Sequence, residues 1–70
     1  MGQVLLDETE VHLKDTPEPV QQAVKELVRS ARLGPITKMV EAQDVTYDLD
    51  LKIGDKWETK TLANDGKLVP

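Results

Sequence analysis

The sequence predicts a small α+β domain, one amphipathic helix packed on one face of a three- to four-stranded antiparallel sheet, in the order α-β-β-β-β. Three observations lead there. Apolar residues between Val20 and Ala31 recur at helical spacing. After Pro35 the period of the pattern changes to two. Gly54-Asp55-Lys56 and Asn64-Asp65-Gly66 then punctuate the extended stretch as turns.

The helix is expected over residues 17–32. Thr16 is an N-cap residue whose hydroxyl can take up an unpaired amide of the first turn, and Pro17 follows at a position that needs no N–H. Glu18 sits at the positive end of the helix dipole. Val20, Ala23, Val24, Leu27, Val28 and Ala31 draw one apolar stripe, with Gln21, Gln22, Lys25, Glu26, Arg29 and Arg32 on the wet side. Gly34-Pro35 reads as the stop, with Gly34 at a left-handed cap.

The strand at 36–42 is mixed on both faces. Residues 45–53 alternate more cleanly: Val45, Tyr47, Leu49, Leu51 and Ile53 share one face, while Thr46, Asp48, Asp50 and Lys52 share the other. A three-residue turn at Gly54-Asp55-Lys56 would pair Ile53 with Trp57, Lys52 with Glu58 and Asp50 with Lys60. Each opposite-charge pair is worth roughly 0.2–1 kcal/mol. A one-residue slip would instead set Leu51 against Glu58 and Leu49 against Lys60, bringing charge to the core face. The three-residue turn is therefore expected, with Thr59 and Thr61 beside the leucines. Lys67-Leu68-Val69 supplies a short last strand. Residues 1–15 read as an N-terminal arm or short strand, in which Val4 and Leu6 share one parity and Val11 and Leu13 the other.

The bulk numbers narrow the function classes. Seventy residues make one domain at most, and a core of this size rarely supplies more than roughly 3–5 kcal/mol without a staple. There is no cysteine and a single histidine, which rules out a disulfide and the usual structural zinc site. Packing, self-association or a larger parent protein must supply the stability. A net charge of -4 with unclustered basic residues speaks against nucleic acid, and no apolar run reaches membrane-span length. Met1-Gly2-Gln3 leads into Val4-Leu5-Leu6 with no signal-peptide pattern, which suits a cytoplasmic protein or a fragment without its leader.

The ordered motifs carry a resemblance. Pro17-Glu18-Pro19-Val20-Gln21-Gln22-Ala23-Val24 resembles the LPxxVxxAI helix opening of PepSY-like domains. Ile36 to Glu41, Tyr47-Asp48-Leu49-Asp50-Leu51, Gly54-Asp55-Lys56 and Asp65-Gly66-Lys67-Leu68-Val69 are similar to the family's later steps, in the same order. Thr16 stands where the family usually has Leu, and Gly54-Asp55 reverses the common Asp-Gly. The resemblance covers residues 11–70 and places a PepSY-like domain at 16–70. It implies a periplasmic or secreted setting and a protein partner, a peptidase or an envelope protein. It carries over no catalytic or ligand residue.

The side chains themselves offer no reaction centre. Nucleophilic catalysis needs a nucleophile beside an oriented base; Ser30 lies on the wet side of the helix and His12 far from it along the chain. Asp48 and Asp50 project from an extended strand roughly 6–7 Å apart, whereas calcium sites curl a loop round the ion, so with Asp44 they read as a solvated strand face. The glycines are scattered and build no phosphate loop. No cofactor or metal is expected. The aromatic residues Trp57 and Tyr47 are the candidate partner-binding positions. Trp57 has two readings, a core anchor beside Ile53, which is favoured, and an exposed hot spot near the Gly54 turn. The expected function is a non-enzymatic protein-binding or inhibitory module acting through its sheet face or strand edge. The alternative is a structural oligomerisation or accessory domain.

Overall fold

The computed structural model describes residues 6–70. Strand β1 (Leu6–Val11) leads through a 3-10 turn (Leu13–Asp15) into helix α1 (Glu18–Leu27). Strands β2 (Arg32–Glu41), β3 (Asp44–Ile53) and β4 (Lys56–Ala63) follow. The four strands form one antiparallel sheet in the order β1-β2-β3-β4. The α+β class stands, but the element order is corrected. The fourth strand comes before the helix, where β1 pairs with β2. The strand expected at 67–69 is only a single bridge, Leu62 to Leu68. The parity expected for Val4 lies outside the described residues.

Helix α1 is shorter than its apolar stripe. It starts at Glu18 with Pro17 as an extended N-cap residue, and Pro19 fills a first-turn position that requires no N–H. Thr16 does not cap the helix. Its hydroxyl donates to the Leu13 carbonyl at 2.7 Å and so closes the preceding 3-10 turn. Gln21 ties the two turns together, its side-chain amide donating to the Thr16 carbonyl at 2.8 Å.

The helix ends at Leu27 rather than near Arg32, because Arg32 and Leu33 pair with Lys52 and Leu51 in the sheet. Gly34-Pro35 is not a helix stop. It is a β-bulge: two residues of β2 lie between the Leu33–Leu51 and Ile36–Leu49 pairs, where β3 has only Asp50. Proline is tolerated at a bulge, where a ladder N–H is not required. The extra residue also turns Leu33 and Ile36 to the same face, although they are three positions apart.

Val20 and Val24 of α1 form one buried cluster with Ile36, Tyr47, Leu49, Leu51 and Leu62. Ala23, Leu27, Val28 and Ala31, the rest of the stripe, pack against it from partly buried positions. The alternation expected of β3 is present, with Tyr47, Leu49 and Leu51 buried. Ile53 at its end is exposed. No helix among the described residues is long and apolar enough to cross a membrane.

The β3–β4 register departs from the expectation. Gly54-Asp55 forms a two-residue turn, Ile53 pairs with Lys56, and Leu51 and Leu49 face Glu58 and Lys60. These charges stand on the cluster side of β4, an edge strand, where Glu58 is exposed and Lys60 half-buried; they pair with each other at 3.9 Å. Solvent at the edge removes the penalty that the core face would impose. Thr59 and Thr61 thus leave the leucines and turn to the opposite face. There their hydroxyls donate to Asp50 at 3.0 Å and Asp48 at 2.7 Å.

The turn after β4 folds back toward the helix. The Gly66 amide donates to the Ala63 carbonyl, and Asp65 accepts from the Lys67 amide at 3.1 Å. A Cβ on Gly66, whose φ is +88°, would stand 2.5 Å from the Pro19 carbonyl oxygen. The close approach seats this turn against the start of α1.

Candidate recognition surface

The register places the paired strand residues on two faces. One carries the buried cluster. The other presents rungs that run across the strands. At one end lie Arg32, Lys52 and Trp57, and next come Asp50 and Thr59. The middle holds Glu10, Thr37, Asp48 and Thr61, followed by Glu8, Met39, Thr46 and Ala63. Glu41 and Asp44 close the far end.

Trp57 is corrected from core anchor to surface residue: it is 58% exposed, on the face opposite the cluster. A Cβ on Gly34 would meet its ring at 2.8 Å and the Asp50 carbonyl oxygen at 3.1 Å. The ring therefore reaches from β4 across β3 to the bulge of β2, and the missing side chain at Gly34 gives it room. Tyr47 has the reverse fate. It is 3% exposed within the cluster, so its ring offers no surface to a partner. Desolvation by burial raises its hydroxyl above the usual pKa of 10.0. The two aromatic candidates thus occupy opposite faces and do not form one site.

Two acids of this face are held by sheet chemistry. Asp48 and Asp50 accept threonine hydroxyls across the ladder. Among the described residues no group of three or more His, Cys, Asp or Glu side chains could hold a metal ion. His12 and Ser30 are exposed, on the links before the 3-10 turn and before β2. A shallow groove lies at the far end between Pro17, Pro19, Val45, Ala63 and the Gln43 and Asn64 turns.

The sheet edge at β4 is half covered. Ala63 donates to the Lys67 carbonyl and Val69 to the Thr61 carbonyl, each at 2.8 Å. Backbone groups alternate sides along a strand, so those of Trp57 and Thr59 also point outward, beyond the reach of this cover.

Sequence reasoning missed Arg32, Lys52 and Gly34 as members of one surface. Local spacing places Arg32 on the helix and Gly34 at its cap. Only the bulge, which the Gly-Pro pair could have signalled within a strand, brings them beside Trp57. No family profile, curated protein or solved structure matches the chain.

Proposed function

We propose that this domain is a non-enzymatic protein-recognition module that binds its partner through the sheet face carrying Trp57. The observation that carries the reading is the exposed Trp57 ring, seated on Gly34 at one end of a largely polar face. A large aromatic left mostly in water contributes little to a small core, and tryptophan is enriched among residues that dominate binding energy. In this reading α1 covers one face through Val20 and Val24, and the partner covers the other. The motif order that resembles PepSY-like domains supports the same class of function and a peptidase or envelope protein as partner.

The test is capture by the immobilised domain, comparing wild type with Trp57→Ser and with Lys25→Glu, an exposed helix position. A protein retained by wild type and Lys25→Glu but lost from Trp57→Ser supports the reading. Equal retention by all three refutes it. Inhibition of the captured protein, where it is a peptidase, distinguishes an inhibitor from a simple binder.

A second reading, a structural domain that pairs with its own copy, is favoured by one observation, the open β4 edge at Trp57 and Thr59. Open edges recruit strands. Sedimentation at rising concentration separates the two readings, since edge pairing requires a dimer.

A further inference from the structure

The ladder between β2 and β3 ends in two like-charge rungs of opposite sign. Glu41 faces Asp44 at one end, and Arg32 faces Lys52 at the other. Like charges directly opposite each other destabilise an antiparallel pair. The described ion pairs are Arg29 with Glu26 and Lys60 with Glu58, so among the described residues neither Arg32 nor Lys52 has a carboxylate within 4 Å. The acid nearest along the same face, Asp50, accepts the Thr59 hydroxyl instead. The basic rung continues directly into Trp57, which pairs with Lys52. A shallow depression adjoins it, walled by Arg29, Arg32 and Lys52 between the α1–β2 link and the Gly54 turn. Two cations outside any described ion pair, beside an exposed aromatic ring, match a ligand that brings both anionic and apolar groups.

We infer that Arg32, Lys52 and Trp57 anchor an acidic, extended segment of the protein partner. Its carboxylates sit between the guanidinium and the ammonium, and an adjoining apolar side chain lies on the Trp57 ring. The rest of the face sets direction. Asp44 lies eight residues along β3 from Lys52, about 27 Å in an extended strand, with Glu41 of β2 opposite it, and the two repel a second acidic stretch. The segment therefore enters with its acidic end over the basic rung. This inference rests on the sheet-face reading above and adds the chemistry of the partner.

Trp57 is the only tryptophan, so its fluorescence reports on the site alone. The experiment titrates the 15N-labelled domain with a short capped peptide alternating glutamate and leucine, and with its lysine counterpart, following Trp57 emission and amide shifts. The glutamate peptide is expected to change the emission saturably and to move the amides of Arg32, Lys52 and Trp57, weakening as salt is raised. An exposed charge contact is worth roughly a factor of two to five in affinity, so Lys52→Glu should weaken binding about tenfold. Lys25→Glu, the same charge change on the helix, should leave binding within about twofold. Circular dichroism confirms that both variants are folded. Equal binding by Lys52→Glu and wild type overturns the anchor. So does a lysine peptide that binds around Glu10 and Asp48 while the glutamate peptide is silent, although that result keeps the sheet face as a recognition surface. Silence of both peptides also overturns the anchor, and the capture experiment with Trp57→Ser then judges the broader reading separately.

Discussion

Replacing a single hydrogen with a methyl group at two turn glycines should give very different losses of stability. Gly54 and Gly66 both adopt positive φ, +62° and +88°. An L-residue in the left-handed region costs roughly 1–2 kcal/mol. At Gly54 nothing lies within 4 Å of an added Cβ, so Gly54→Ala should cost that strain and little more. At Gly66 the same Cβ falls 2.5 Å from the Pro19 carbonyl oxygen and 2.9 Å from its carbon. Both are backbone atoms, and neither can swing aside as a side chain would. The turn must lift from α1, straining the Gly66–Ala63 and Lys67–Asp65 hydrogen bonds and the Leu62–Leu68 bridge. A typical hydrogen bond contributes about 0.5–1.5 kcal/mol net. Gly66→Ala should therefore lose about 2–4 kcal/mol in all, comparable to the roughly 3–5 kcal/mol that a core of this size supplies. Urea denaturation followed by Trp57 fluorescence and by circular dichroism measures both variants. Equal losses would refute the seating of the 64–66 turn on the start of the helix.

Three further outcomes are expected. Ala42, at the tip of the β2–β3 hairpin, has φ +54° without being glycine, so Ala42→Gly should raise stability by about 1 kcal/mol in the same urea assay; a loss would show that the tip is not left-handed. Burial raises the Tyr47 pKa, so the folded state holds the phenolic proton more tightly than the unfolded chain. Its contribution to stability is complete below about pH 10 and is lost as pH rises through the raised folded value. Tyrosinate absorbance should titrate above pH 10 in the folded domain, and Tyr47→Phe should flatten the alkaline loss of stability; an ordinary titration would contradict the burial. Arg32→Glu turns a like-charge rung into an opposite-charge one and should stabilise the fold by about 0.5–1 kcal/mol while weakening glutamate-peptide binding about tenfold. Destabilisation would mean that Arg32 and Lys52 do not face each other.

The parts legible in the sequence were those with a local period. The stripe from Val20 to Ala31 and the alternation of Tyr47, Leu49 and Leu51 each name the residues that meet in the buried cluster. What local reasoning missed was decided by pairing between segments. Local periodicity extends the helix too far because Arg29 and Arg32 continue its polar face. Pairing of Arg32 and Leu33 with β3 outweighs that weak preference. Gly34-Pro35 carries the same letters as a helix stop and a bulge, and only the neighbouring strand distinguishes them. The expected β3–β4 register rests on exposed ion pairs, which are worth little. The structure takes threonine–aspartate hydrogen bonds and a two-residue turn instead, leaving Glu58 and Lys60 at a wet edge. Trp57 followed the register, and with it the character of the surface.

The decisive measurement is the set of nuclear Overhauser contacts of the Trp57 ring. Contacts with the α-protons of Gly34 and with Lys52 are expected, together with cross-strand contacts between Asp50 and Thr59 and between Asp48 and Thr61. Contacts from the ring to Leu51, Ile53 or Val24 would place Trp57 on the cluster face, and the recognition surface proposed here would not exist.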